Sequence, residues 1–213
     1  MTPGGVMSHL FTGPSAFRGN VDNYYEPENS YLNDVLERRL GIPITLAVLA
    51  IEVARRCGVT MVGVSMPGHF LVGLAGTTSH YFDPFNKGAE TTADQCRDRF
   101  REMAGSDTPF LDSYLDPVPP IMILGRMLNN LEGIAQRRKD PAMLAWVLQF
   151  KARFPDATPD LGHRSAVLFK NSGQYLLAAQ ELERLVGLAG PGVAPKAIED
   201  LESKARRLRA RLN

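Results

Sequence analysis

His69 and Asp83 are the residues whose types and spacing point most directly to chemistry in this sequence. Both lie in the segment SMPGHFLVGLAGTTSHYFDPF, the histidine near its start and the aspartate near its end. In acyl-transfer enzymes an aspartate orients a histidine, which removes a proton from an attacking hydroxyl or thiol. The segment therefore holds two members of a three-residue catalytic arrangement, and the third must be sought elsewhere in the chain.

The distance between this histidine and this aspartate depends on how two predicted strands pair. The segments HFLVGLA and SHYFDPF are typical of antiparallel strands, with Gly76–Thr78 as the loop between them. A three-residue loop places Ala75 opposite Ser79 and brings His69 and Asp83 to diagonal positions on one face of the sheet. A two-residue loop would move the aspartate to the other face. Whether His69 and Asp83 lie close together therefore depends on the register of the two strands.

A structural interpretation of the same residues stays open beside the catalytic one. Pro67, Gly68 and His69 also fit a turn that enters a strand, with the imidazole as an ordinary hydrogen-bonded polar group. Asp83 also fits a strand end at which the carboxylate accepts hydrogen bonds from nearby backbone N–H groups. The spacing favours neither interpretation over the other.

The start of a buried helix is the best place for a nucleophile, because the helix dipole lowers the pKa of a thiol there. The segment IPITLAVLAIEVARRCG predicts such a helix, apolar on nearly all sides. Residues 41–45 contain no cysteine or serine, and Thr45 is their only hydroxyl. Cys57 lies at the opposite end of the helix, about 20 Å away at 1.5 Å per residue. Cys96 lies in a polar segment that is expected at the surface. The sequence thus offers no thiol at this position.

Composition indicates an ordinary globular chain. It has 213 residues, of which 44% are hydrophobic and 22% charged. The sequence contains no run of about 18 apolar residues, the length that a transmembrane helix needs. No membrane partner is therefore expected. The N-terminus lacks the basic and apolar segments of a secretory signal. We therefore expect a cytoplasmic protein with two reduced thiols.

Motifs of other functional classes are missing from the sequence. There is no phosphate loop, dinucleotide fingerprint, HExxH or paired CxxC, so no cofactor is expected. His9, His80 and His163 have no neighbour at metal-ligand spacing, which predicts no metal site. The C-terminal segment KARRLRARL lacks interleaved aromatic residues, which argues against nucleic-acid binding. We interpret it as a solvated helix face, with an acidic partner or the acidic first part of the chain as alternatives.

The chain is predicted to divide at the proline-rich stretch LDPVPP, into residues 1–118 and 119–213. The first part carries 9 Lys and Arg against 14 Asp and Glu, and the second carries 15 against 9. Residues 1–28 are expected to be loop-rich, followed by a helix in NSYLNDVLERRLG that Asn29 or Ser30 would cap. The buried helix, a strand in VTMVGVSM, the two strands above and a short helix in TTADQCRDRFREM complete the first part.

Five helical segments are predicted in the second part. The segments KDPAMLAWVL and GQYLLAAQEL share apolar positions, and the second resembles the turn and second helix of a tetratricopeptide repeat. An ordinary helical bundle remains the alternative.

The blocks NSYLNDVLERRLGIPITLAVLAIEVARRCGV, MPGHFLVGL and FDPFNKG resemble the SirB-type bacterial family. That family joins a transglutaminase-like core domain to tetratricopeptide-like helices, and the resemblance covers roughly residues 17–190. It implies an α+β, papain-related first domain, with a small antiparallel sheet packed on a buried helix, followed by an all-α domain. It also implies that the first domain is short at its N-terminus.

By this resemblance His69 matches the histidine of a Cys–His–Asp triad and Asp83 its aspartate, while the cysteine position falls at Pro43 or Ile44. The family in general lacks the thiol. The expected function is therefore non-catalytic binding of a protein or peptide partner in the remaining cleft. The other residues expected to line that cleft are Asn29, Tyr31, Pro43 and Thr45.

Two alternative functions stay open. One is a hydrolase or acyl transferase that uses no cysteine, with His69 as the general base that activates water. The other is an adaptor that binds its partners through the helical half. The sequence names neither a ligand nor an oligomeric state.

Overall fold

In the computed structural model, which describes residues 1–77 and 80–212, the chain forms two units, Met1–Met127 and Leu128–Asn213. The division lies inside a long helix, Pro120–Arg138, and not at the predicted edge after residue 118. Pro120 is the first residue of that helix, where a proline costs no backbone hydrogen bond. The proline-rich stretch therefore marks the start of the helix, and the boundary between the units follows later.

The first unit combines helices with a sheet. Its helices are α1 (Pro3–Phe11), α2 (Leu32–Arg38), α3 (Pro43–Arg56) and α4 (Ala93–Ala104). Its strands are β1 (Arg18–Gly19), β2 (Leu40–Gly41), β3 (Met61–Val64), β4 (Leu71–Leu74), β5 (His80–Asp83), β6 (Ala89–Thr92) and β7 (Pro117–Val118). The strands β1 and β2 form a parallel pair, and the others form an antiparallel sheet in the order β6-β5-β4-β3-β7.

The register of β4 and β5 is the one that a three-residue loop predicts. Val72 lies opposite Phe82, and Gly73 lies opposite Tyr81. The pairing of Ala75 with Ser79 itself falls outside the described residues. Because side chains alternate between the faces of a strand, this register puts Asp83 on the face that the diagonal arrangement requires.

The helix α3 is the centre of the first unit. Ile44, Leu46, Ala47, Ala50 and Ala54 are buried, and they pack with residues of α1 and of the sheet in one hydrophobic cluster. The small alanines allow close approach of neighbouring elements, and burial of this much apolar surface is the main stabilising contribution. The predicted α+β class, with an antiparallel sheet beside a buried helix, is confirmed.

The expectation that residues 1–28 are loop-rich is wrong for α1. Thr2 accepts a hydrogen bond from the Gly5 N–H at 3.1 Å and caps the helix, and Pro3 occupies its first position. Gly4 and Gly5 have low helix propensity, so propensity alone did not predict this helix. Its apolar residues at helical spacing are nevertheless buried: Val6, Met7, Leu10 and Phe11.

The expected cap of α2 is also wrong. The residue in the cap position is Tyr31, which makes no side-chain cap hydrogen bond. Asn29 instead ends a short 3₁₀ helix, Pro27–Asn29, and is completely buried. Its amide is used in a hydrogen-bond network described below, so it is not available to the helix.

The second unit is helical. It contains the end of α5 (Pro120–Arg138), α6 (Pro141–Lys151), α7 (Pro159–Asn171), α8 (Tyr175–Gly187) and α9 (Pro195–Arg209). Consecutive helices from α6 to α9 pack on one another around a second hydrophobic cluster. Glu181 is completely buried in α8, where it accepts hydrogen bonds from Arg153 at 3.0 Å and from Arg184. The predicted helical second half is confirmed.

Candidate functional site

His69 is held by a tight turn that precedes β4. Its backbone N–H donates to the Met66 carbonyl at 3.1 Å, and Gly68 inside the turn has φ +73°. A Cβ on Gly68 would also lie 1.9 Å from the Met103 sulfur. The positive φ therefore favours glycine here, and a side chain at this position would also displace the exposed side chain of Met103.

The imidazole of His69 faces the carboxylate of Asp83. Its Nε2 lies 2.9 Å from Oδ1, and the two side chains are 11% and 4% exposed. The distance is that of a hydrogen bond, but the direction of the ring N–H does not meet hydrogen-bond geometry, and Nε2 has no other hydrogen-bond partner among the described residues. We therefore treat the contact as electrostatic.

Asp83 has further partners. Its Oδ1 accepts from the backbone N–H groups of Phe85 and Asn86, at 3.1 and 3.2 Å, and so caps the 3₁₀ helix Pro84–Asn86. Its Oδ2 accepts from Arg99 Nη1 at 2.6 Å. The two sequence interpretations of Asp83 were separate alternatives, yet this carboxylate both faces the histidine and bonds local backbone.

The charge of Asp83 is stabilised where it is buried. Burial alone would raise the pKa of this carboxyl, but the facing His69 and Arg99 outweigh that effect and hold the pKa below its usual value. Asp83 is thus a carboxylate with two cationic or potentially cationic neighbours.

Arg99 is a site residue that sequence reasoning missed. It lies on α4, whose start is fixed by Thr92 and Gln95, each bonding the backbone N–H of the other. The segment that forms α4 was predicted as a helix, but the direction in which that helix lies against β5 is not encoded in a local pattern. The only signal was an arginine on a helix close after the aspartate.

The start of α3 carries no thiol. Its first residues are Pro43, Ile44 and Thr45, all buried. The Thr45 hydroxyl donates to the Asn29 carbonyl at 2.8 Å and accepts from the Ile42 N–H at 3.1 Å. The hydroxyl of Thr45 therefore already donates one hydrogen bond and accepts another, both with backbone groups.

Asn29 belongs to the same buried network. Its Nδ2 donates to the Asn23 carbonyl at 2.7 Å, and its Oδ1 accepts from Asn20 Nδ2 at 3.0 Å. Asn29 and Thr45 are both 0% exposed, so they position backbone and do not line a surface. Tyr31, the other predicted cleft residue of this region, is half-buried at the start of α2.

An aromatic ring packs against the histidine, and a second ring packs against the first. The ring of Phe85 lies edge-on to His69, with 6.4 Å between centroids, and edge-on to Tyr24 at 6.1 Å. A Cβ on Gly19 would lie 2.5 Å from the Phe85 ring, so the missing side chain of β1 makes room for it. Tyr24 and Phe85 were not among the predicted site residues.

Arg126, in the first turns of α5, lies close to the turn that holds His69. Its Nη1 donates to Ser65 Oγ and to the Met66 carbonyl, both at 2.8 Å. The guanidinium lies over the Phe70 ring at 5.5 Å. Burial lowers the pKa of Arg126, against a smaller opposing effect of Tyr24. No local sequence pattern indicates that this cation lies near His69.

The two cysteines have different environments. Cys57 is exposed at the end of α3, whereas Cys96 is buried in α4. The expectation of a surface position for Cys96 is therefore wrong, because this residue is on the buried side of an otherwise polar helix. Burial raises the pKa of the Cys96 thiol above its usual value.

We expect a thiol reagent such as dithionitrobenzoate to modify Cys57 of the folded protein and to leave Cys96 unmodified until urea unfolds the chain. The buried thiol is shielded and less readily ionised, so its rate should be lower by at least about tenfold. Absorbance at pH 8 follows the reaction, and Cys57→Ala and Cys96→Ala assign each phase. Fast modification of the Cys57→Ala variant would contradict the prediction.

Two searches of the described residues complete the description of the site. Within residues 1–77 and 80–212, no group of three or more His, Cys, Asp or Glu side chains is arranged to hold a metal ion. None of the helices in that part of the chain has the length and apolar character needed to span a bilayer.

Comparison with known proteins gives a consistent family assignment. A family model described as transglutaminase-like superfamily matches residues 5–129. UPF0162 proteins of two Xylella fastidiosa strains are each 44% identical, over 71% and 70% of this chain and 59% and 58% of theirs. F-box only protein 21 of Homo sapiens is 36% identical over 43% of this chain and 16% of that protein. No solved structure matches significantly. The chain thus spans less than two thirds of the length of these relatives.

Proposed function

This chain belongs to the transglutaminase-like superfamily, and from that premise we propose that its first unit is a non-catalytic binding module whose ligand contacts His69. The observation that supports this most is the start of α3, where the superfamily resemblance puts a cysteine and this chain has Pro43 and Ile44. Covalent acyl transfer needs a group that attacks the carbonyl. Thr45, the nearby hydroxyl of this helix, is fully buried and hydrogen-bonded.

The surroundings of Asp83 also support a binding role. In a catalytic triad the aspartate stabilises the charge that the imidazole gains when it removes a proton. Here Arg99 lies 2.6 Å from the same carboxylate and already compensates its charge. The Asp83 carboxylate therefore stabilises a protonated imidazole less than it would without Arg99, although it still lies against the ring.

The ligand that fits this environment is a protein or peptide segment. Aromatic edges and a fixed imidazole offer apolar contact together with a few oriented polar groups, the usual composition of a binding recess. Tyr24 and Phe85 supply the aromatic surface.

We also propose a cytoplasmic location. The two thiols, Cys57 and Cys96, are free, as is usual in a reducing compartment.

Peptide selection on the full chain tests the proposal. Peptides enriched from a displayed random library should bind the parent, bind His69→Ala at least tenfold more weakly, and bind His80→Ala normally. His80 is the matched control, because it is exposed on β5 and pairs with Glu90 at 2.8 Å. Failure to enrich any peptide, or equal binding by all three proteins, would argue against a ligand at His69.

Turnover of acyl ester and amide substrates by the same three proteins tests the enzymatic alternative. We expect no turnover above the buffer rate. Hydrolysis by the parent that disappears in His69→Ala would overturn the non-catalytic proposal and favour His69 as a general base.

A cavity in the helical unit favours a second candidate, an adaptor that binds through tetratricopeptide-like helices. The cavity has a volume of about 350 Å³ and an apolar floor that includes Ala166, Leu182 and Leu208. Five basic side chains also line it, and no acidic side chain does so among the residues that the structure describes. The basic lining residues are His163, Lys170, Lys204, Arg207 and Arg211.

The adaptor candidate predicts an acidic, partly apolar peptide as ligand. In a pull-down with such a peptide, Arg207→Ala in the full chain should weaken binding severalfold. Arg206→Ala is the matched control, because Arg206 points to Glu202 at 3.5 Å and does not line the cavity. Equal effects of the two substitutions would indicate non-specific attraction and would contradict this candidate.

A further inference from the structure

The guanidinium of Arg126 is half-buried and has no ion-pair partner in the part of the chain that the structure describes. Among the described residues, no carboxylate forms an ion pair with it, although many other arginines of the chain have such a partner. Within residues 1–77 and 80–212, Nη1 alone of its nitrogen atoms makes hydrogen bonds, to Ser65 Oγ and the Met66 carbonyl. Nε and Nη2 are not fully buried, so they keep contact with solvent. The described residues therefore leave one edge of the guanidinium without a hydrogen-bond acceptor.

An unpaired charge in a partly buried position is costly to maintain. Removing a charged group from water is unfavourable unless a counter-charge and hydrogen bonds replace the lost hydration. The Phe70 ring covers one face of the guanidinium at 5.5 Å, which holds the group in place but supplies no counter-charge. The described residues thus hold this cation in place without supplying a counter-charge.

The guanidinium of Arg126 is linked to the turn that holds His69. The Met66 carbonyl accepts hydrogen bonds from both Arg126 Nη1, at 2.8 Å, and the His69 backbone N–H, at 3.1 Å. The Arg126 guanidinium and the His69 main chain are therefore held by the same acceptor, the Met66 carbonyl oxygen. On the other side, Tyr24 interacts electrostatically with Arg126 and packs against Phe85, which contacts the imidazole.

We propose that Arg126 binds a carboxylate of the ligand through Nε and Nη2, and so sets the chemical class of ligand that binds beside His69. This inference rests on the proposed binding function of the first unit. A guanidinium edge presents two parallel N–H groups that match the two oxygens of a carboxylate. A peptide C-terminus and an acidic side chain both supply such a group.

A carboxylate fits better than a phosphate. Arg99, the other arginine close to His69, is already bound to Asp83, so the recess offers one uncompensated guanidinium. A carboxylate carries one negative charge, whereas a phosphate ester carries up to two at neutral pH and would need a further cation. The partly apolar rings of Tyr24, Phe70 and Phe85 also favour the less strongly hydrated anion.

The test is a titration of the full chain observed by NMR of the Arg126 Nε–H and the His69 backbone amide. The probes are N-acetylglycylglycine, which has a free C-terminal carboxylate, N-acetylglutamic acid α-amide, whose only carboxylate is on the side chain, N-acetylglycinamide, and inorganic phosphate. We expect saturable shifts with one or both carboxylate probes and none with the neutral amide. The two carboxylate probes decide between a chain terminus and an acidic side chain.

Arg126→Gln should weaken carboxylate binding at least tenfold, and Arg126→Lys should weaken it by an intermediate factor, because lysine keeps the charge but loses the fork. The control is Arg18→Gln, an equal change of charge at an exposed arginine of the same unit. It should leave the affinity within twofold. Dispersed spectra of each variant establish that it is folded.

Outcomes separate this inference from the proposed function. If library peptides bind the parent and fail on His69→Ala, but bind Arg126→Gln normally, the binding function stands and the carboxylate inference is wrong. Equal weakening by Arg126→Gln and Arg18→Gln, or tighter binding of phosphate than of either carboxylate, would also overturn it. Failure of the library peptides to depend on His69 overturns the proposed function itself.

Discussion

Replacement of Asp83 by alanine is expected to lower the free energy of unfolding by about 3 kcal/mol, the order of cost seen when one partner of a buried charge pair is removed. The substitution leaves the N–H groups of Phe85 and Asn86 without their acceptor and Arg99 without its counter-charge. Arg99 is 46% exposed, so water recovers part of its loss. Urea unfolding at pH 7, followed by circular dichroism, measures the change.

The same contribution should depend on pH. The pKa of Asp83 is lowered in the folded protein, so its stabilising effect is complete above the unfolded pKa and is lost as the pH falls through the folded one. The difference between parent and Asp83→Ala should therefore shrink below about pH 4. Asp94→Ala is the control, because that carboxylate is 87% exposed and its pair with Arg97 should contribute less than about 1 kcal/mol. An equally small effect at Asp83 would contradict the prediction.

Thr45→Val is expected to destabilise the protein by about 2 to 3 kcal/mol, although it keeps nearly the same shape. Valine cannot accept from the Ile42 N–H or donate to the Asn29 carbonyl, and both groups are then buried without a partner. Thermal or urea unfolding of the variant measures this loss.

Thr45→Ser separates the hydroxyl from the methyl group. It keeps both hydrogen bonds and removes one buried methyl, so its cost should be about 1 kcal/mol. Equal destabilisation by valine and serine would show that packing, and not the hydrogen bonds to Asn29 and Ile42, explains the role of this residue.

The features that followed from sequence were those with a local pattern. The apolar run from Ile44 to Ala54 predicted a buried helix, and it forms the core of α3. A three-residue loop predicted the register in which Val72 lies opposite Phe82. These predictions needed only the period of side chains along one element or the length of one connection.

The features that sequence could not predict depend on elements that meet only in the fold. Arg99 reaches Asp83 from α4, and Arg126 reaches the Met66 carbonyl from α5. No spacing rule relates these residues to His69. Cys96 was placed on the surface because its neighbours in sequence are polar, yet the buried face of an amphipathic helix needs only a few apolar positions.

The turn Met66–His69 has a thermodynamic consequence for recognition. A positive φ at Gly68, the His69 N–H bond and the Arg126 contact fix the main chain there before any ligand arrives. Complex formation then need not freeze this backbone, and the conformational entropy usually lost on association has already been spent during folding. For the ligand proposed to contact His69, this main chain is thus preorganised, and affinity should be governed by desolvation and contacts and not by the ordering of a loop.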